Sequence, residues 1–129
     1  MIRSDRRTLI KGSMALAALG AMPAALRAQG VAPAVFVYDR RFAASLQLAQ
    51  EWSGQGVAIL DPREHDLGLA WRGHIPQLLA SGGVIAGATL WSDRFICETF
   101  ARDHGRSQVL HDLLLPDASG GALRQWAIA

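Results

Sequence analysis

The sequence predicts an α/β domain, on three observations. Short apolar strands alternate with helical patterns, glycine clusters punctuate them, and the last two strands follow one another across a glycine-rich turn. Strand–helix alternation implies right-handed crossovers and a mostly parallel sheet covered on both faces. The expected order is β-α-β-α-β-α-β-β, about five strands with a C-terminal β-hairpin at one edge.

Ala34-Val35-Phe36-Val37-Tyr38 is a continuous β-branched and aromatic run, expected as a buried first strand. Asp39 follows as an N-cap. Phe42, Leu46, Ala49 and Ser53 then recur at helical spacing until Gly54-Gln55-Gly56 ends the helix. Val57-Ala58-Ile59-Leu60 is the second strand, closed by Asp61-Pro62. The next stretch is irregular. Leu67, Leu69, Ala70 and Trp71 suit a short helix, Gly73 breaks it, and Pro76 suits the first turn of another through Leu78 and Leu79. Ser81-Gly82-Gly83 leads into a third strand, Val84 to Leu90, in which Gly87 marks a close packing contact. Ser92 is expected to cap the third main helix, with Phe95, Ile96, Thr99 and Phe100 as its apolar stripe and Gly105 as its stop. Strand four spans Gln108 to Leu114, residues 116–121 form a turn, and Ala122 to Ile128 is strand five, with Trp126 on a terminal edge strand.

The N-terminal residues are of another kind. Ser4-Asp5-Arg6-Arg7-Thr8-Leu9-Ile10-Lys11 precedes an Ala- and Gly-rich apolar stretch, Gly12 to Met22, which Pro23 interrupts. That stretch is short for a membrane span of about 20 residues. The segment resembles a twin-arginine (Tat) signal peptide, with Arg6 and Arg7 as its signature pair. Arg27 lies near the cut, as in signals that avoid the unfolded-chain route. The resemblance implies export to the periplasm as a folded protein, often with a cofactor or as one member of a complex. Cleavage is expected near Ala28, although that cut places Leu26 at the −3 position and a cut after Gly30 would place Ala28 there. Residues 1–28 are thus read as the signal, 29–33 as a linker and 34–129 as a single domain. That domain resembles small three-layer Rossmann-like domains and no family of nameable activity.

Removing the signal reverses the charge. Residues 1–28 hold Arg3, Arg6, Arg7, Lys11 and Arg27 against Asp5, a net +4; the chain totals +2, so residues 29–129 carry −2. A mildly acidic domain has no electrostatic case for nucleic acid or an anionic membrane, whose contact is expected only through the signal. Lys11 is the only lysine, which excludes a Schiff-base lysine from the domain. Cys97 is the only cysteine, so no internal disulfide is available; mid-helix beside Ile96, it reads as a small buried hydrophobe.

In parallel α/β folds ligands bind at the carboxyl ends of the strands. Three polar clusters are expected there: Asp39-Arg40-Arg41, the run from Asp61 through His65 to Asp66, and Trp91-Ser92-Asp93-Arg94. They offer arginines for an anion, carboxylates for base work and one imidazole. The alternative is that Asp39 and Ser92 are only caps and the charges a solvated rim. No metal is expected: successive loop residues converge on one ion only with a glycine-shaped loop, and no His-Glu-x-x-His or paired-cysteine spacing occurs. No cofactor is expected either, because Tyr38-Asp39-Arg40-Arg41-Phe42 replaces the glycines that admit a pyrophosphate. Leu90-Trp91-Ser92-Asp93-Arg94 lacks the glycines of a nucleophile elbow. His104, at a helix end, reads as structural. Trp52, Trp71, Trp91 and Trp126 either close a small core or mark a partner surface.

Two functions follow as expectations. One is a non-catalytic accessory or binding protein acting with a larger co-exported redox or catabolic enzyme. The other is a small enzyme or binder of an anionic metabolite using Asp39, Arg40, Arg41, His65, Ser92 and Asp93.

Overall fold

The computed structural model describes residues 32–80, 82–115 and 122–129. The signal segment with Arg6 and Arg7, its cut site, most of the linker and the turn at 116–121 lie outside the described residues. Among the described residues nine elements follow in order: β1 (Val35–Tyr38), α1 (Ala43–Gly54), β2 (Ala58–Leu60), α2 (Leu67–Arg72), α3 (His74–Leu79), β3 (Ile85–Thr89), α4 (Trp91–Asp103), β4 (Val109–Leu114) and β5 (Arg124–Ile128).

The five strands form one mixed sheet in the order β2-β1-β3-β5-β4. β1 pairs parallel with both β2 and β3, whereas β5 pairs antiparallel with both β3 and β4. The expectation of a mostly parallel sheet is therefore corrected to two parallel and two antiparallel pairs. The cause is that β5 does not stay at an edge with β4. It inserts between β4 and β3, so the hairpin contributes an antiparallel pair on each side of β5. Trp126, expected on an edge strand, is consequently interior and fully buried.

Val35, Val37, Leu60, Ile85, Trp126 and Ile128 join one apolar cluster with Leu67, Ala70 and Trp71 of α2, Ile75 and Leu79 of α3, and Cys97 and Ala101 of α4. Phe36, Ala86 and Ala127 alternate with them in sequence and are equally buried, and α1 packs against β1, β2 and β3 with Leu48, Ala49 and Trp52 buried. Strand alternation accounts for the division. Within the cluster Trp71 stacks on Phe100 with centroids 5.9 Å apart.

Several local expectations shift in phase. Asp39 does not cap α1: the helix begins after Phe42, and its buried stripe is Ser45, Leu48, Ala49 and Trp52 rather than Phe42, Leu46, Ala49 and Ser53. Ser92 does not cap α4, whose N-cap is Leu90. The inward face of α4 is Cys97 and Ala101, and Phe95 and Ile96 stand exposed. The stripe of α4 that faces the core is centred on Cys97 and Ala101, and of the four expected residues only Phe100 packs against the core cluster, from the flank. The irregular segment resolves into α2, capped by the Asp66 carboxylate accepting from the Leu69 N–H at 3.0 Å, and α3, which starts before Pro76 at His74. Gly56 and Gly105 end α1 and α4 with φ of 87° and 78°. Among the described residues, no helix is long and apolar enough to cross a membrane.

Candidate functional site

The chain leaves β1 for β2 on one side and later returns to β3 on the other, so the carboxyl ends of β1 and β3 flank a change of direction. Asp39 follows β1, Asp61 follows β2, and Asp93 lies in the first turn of α4 after β3. Asp39 and Asp61 are buried.

A buried carboxylate requires hydrogen bonds or opposite charge, and the sequence supplies both locally. The Arg41 backbone N–H donates to Asp39 Oδ1 at 3.0 Å, and its guanidinium donates to both carboxylate oxygens, with Nη2 to Oδ2 at 2.6 Å. Asp39 therefore closes a turn on Arg41 instead of capping α1. Its own N–H donates to Ser45 Oγ at 2.9 Å, and Ser45 donates to the Ala88 carbonyl at 2.6 Å. One serine of α1 thereby ties the end of β1 to β3. Arg40 turns the other way, donating to Asp61 Oδ2 at 2.7 Å and pairing with Glu64. Asp61 also accepts from the Arg63 N–H at 2.9 Å, and its carbonyl accepts from the N–H groups of Glu64 and His65.

These contacts set the local electrostatics. Burial pushes the Asp39 carboxyl up, but the Arg41 hydrogen bonds and the charges of Arg41 and Arg63 outweigh it and hold Asp39 below the usual aspartate range. Asp93 moves the opposite way. Burial raises it, the Asp39 and Asp61 charges add to the rise, and Arg41 and Arg63 oppose it. Four carboxylates (Asp39, Asp61, Glu64, Asp93) thus share three guanidinium groups (Arg40, Arg41, Arg63).

The structure brings Asp39, Arg40, Arg41, Asp61 and Asp93 together. His65 and Ser92 are exposed, and Asp66 is committed to its cap. Arg94 leaves the cluster: it donates to Asp112 Oδ2 of β4 at 2.8 Å, beside Arg124, which donates to Asp112 Oδ1 at 2.7 Å. Arg63 and Glu64, from the expected run between Asp61 and Asp66, belong to the network, and so does Ser45, which the sequence reading does not single out. Polar residues at the buried phase of an otherwise apolar helix are the signal that marks Ser45. Among the described residues, no three His, Cys, Asp or Glu side chains are placed to hold a metal ion.

A second feature borders this edge. Trp91 opens α4, is 57% exposed, and stacks on the 47% exposed Phe95 one turn on, with centroids 4.9 Å apart. Arg94 and Glu98 lie on the flank of α4 turned to β4, and Trp91 and Phe95 stand just outside them. The opposite flank is closed by Phe100 against Trp71.

No family model, curated protein or solved structure matches this chain.

Proposed function

We propose that this chain is an exported, non-catalytic binding protein that engages a larger co-exported enzyme through the aromatic flank of α4. The observation that carries the reading is the stacked, exposed Trp91–Phe95 pair. Two large aromatics held against each other in water present rigid apolar area at low entropic cost, and tryptophan dominates binding hot spots. The carboxyl edge, by contrast, uses its own arginines: Arg40 and Arg41 are already bound to Asp61, Glu64 and Asp39, which weakens the case for an anionic metabolite. The Arg6-Arg7 segment supports periplasmic export of a folded protein.

The domain is read as a small three-layer Rossmann-like fold, with α1 over one side of the sheet and α2 to α4 over the other. The alternation of Val35 and Val37 with Phe36 supports this reading.

The test is capture from native periplasm with the wild type and with a Trp91→Ala, Phe95→Ala double variant. One specific larger protein should be retained by the first and lost with the second. Equal recovery with both would remove the reading. Export is tested separately, since replacing Arg6 and Arg7 by Lys should abolish periplasmic accumulation.

One observation favours a second reading. Among the described residues, the Arg63 side chain makes no ion pair or hydrogen bond and Asp93 accepts none, although both act on the same cluster. A small anion recruited by Arg63 would show as a thermal shift with organic acids or phosphate, abolished by Arg63→Ala.

A further inference from the structure

We propose that β4 is a self-association edge, through which two copies of this chain pair antiparallel about a two-fold axis at Leu113 and form one continuous sheet. Among the described residues, β4 is the last strand of its sheet and pairs only with β5. Leu115 donates its N–H inward to the Leu123 carbonyl, so strand alternation turns the N–H and C=O of Leu114 and Asp112 outward. Such a row of unpaired groups is a template for another strand.

Edge strands are ordinarily blunted by charge, proline or a bulge. Residues 109–115 contain no Lys, Arg or Pro. Their one charged group, Asp112, is drawn onto Arg94 and Arg124. With Glu98 also beside Arg94, two carboxylates balance two guanidinium groups, and the edge carries no net charge to repel a copy of itself. The irregularity of the ladder lies between Val109 and His111, which leaves Asp112 to Leu115 regular. Within that regular stretch Leu113 is 47% and Leu114 56% exposed. The other edge strand, β2, has only three residues and offers no comparable length.

The occupant is a second copy because the strand is complementary to itself. Pairing about Leu113 sets Leu113 against Leu113 of the second copy, an apolar cross-strand pair. Asp112 of each copy then exchanges both backbone bonds with Leu114 of the other. An axis normal to the sheet also keeps both α4 helices on one face, so the two Trp91–Phe95 pairs stand on the same side of the dimer. The pairing uses different residues from the partner surface proposed above, and the two fail separately.

The test is sedimentation of the purified full chain over a micromolar dilution series, for the wild type, Leu114→Pro and Leu113→Lys. Leu114→Pro removes an outward N–H while sparing the bonds to β5. Leu113→Lys leaves the backbone intact and sets like charges opposite each other, so it remains informative where the proline variant does not fold. The expected result is a concentration-dependent dimer for the wild type and a monomer for each folded variant, with Trp91→Ala still dimeric. A wild type that stays monomeric throughout, or a dimer that survives Leu113→Lys, overturns the proposal. A monomer that loses a captured partner on Leu113→Lys would assign the edge to a foreign strand, and overturns it equally.

Discussion

Gly87 lies directly beneath the Trp126 indole: a Cβ at residue 87 would fall 2.4 Å from Trp126 Cζ2 and 2.8 Å from the Val37 carbonyl oxygen. Gly87 and Trp126 are register partners on β3 and β5, so the largest side chain of the hairpin crosses the one position of β3 that has no side chain. The indole is fixed at its far end by Nε1 donating to Thr89 Oγ1 at 3.0 Å.

Gly87→Ala should therefore destabilise the domain by about 1–3 kcal/mol, the usual cost of overpacking a filled core. Chemical denaturation measures this directly. Thr89→Val, which leaves the buried indole N–H without its acceptor, should cost about 1–3 kcal/mol without a steric clash. A neutral Gly87→Ala would mean that the β3–β5 register differs from the one described.

The same pair shows what the sequence conveyed. A glycine inside an apolar strand signals close approach, and that reading holds at Gly87. What approaches it was not legible, because a strand's place in a sheet depends on non-local pairing. The hairpin was recognised from residues 108–128, yet nothing local states that β5 rather than β4 joins β3. The carboxyl-edge cluster was legible for a related reason: residues just after parallel strands must share an edge whatever the strand order. Its internal pairings were not. Asp39 and Ser92 have the residue type of helix caps, but Arg41 takes Asp39 and Leu90 is the cap of α4. The flank of α4 is not legible because small residues, Cys97 and Ala101, carry its contact, which leaves Phe95 outside while Phe100 packs on Trp71.

Asp112 holds two arginines that would otherwise face each other. Arg94 has a side chain only 13% exposed, while Arg124 is 32% exposed. Removing the carboxylate with Asp112→Ala should cost about 1–3 kcal/mol, as for a hydrogen bond to a charged group, and less than a fully buried pair would. Arg124→Ala should cost less, since Arg94 still satisfies Asp112. A double-mutant cycle between residues 94 and 112 should give the larger coupling, and a larger 112–124 coupling would reverse the order argued from burial.

Cys97 is fully buried on the inward face of α4, and burial pushes its thiol up to about 12, with Trp71 opposing. The reactive thiolate is therefore scarce at neutral pH. A thiol reagent should label the native protein only as fast as α4 opens, and should react at once in denaturant. Rapid native labelling would show that α4 detaches from the sheet far more readily than its packing implies.

Asp39 and Asp93 pull the pH dependence of stability in opposite directions. The Asp39 value is lowered on folding, so its stabilisation is full above the ordinary aspartate value of 3.8 and is lost as pH falls through the lower folded value. The Asp93 value is raised, so its contribution is full below 3.8 and is lost as pH rises through the higher folded value. Asp39→Asn should flatten the acid limb of a stability–pH profile and lower stability at neutral pH, because Arg41 loses its carboxylate. Asp93→Asn should leave stability at acid pH unchanged and increase it at neutral pH, where the wild type bears the cost of ionising a partly buried Asp93 beside Asp39. Denaturant midpoints across acid to neutral pH measure both. A destabilising Asp93→Asn at neutral pH would mean that the ionised carboxylate is held by a favourable contact, contrary to the crowding of Asp39, Asp61 and Asp93 at this edge.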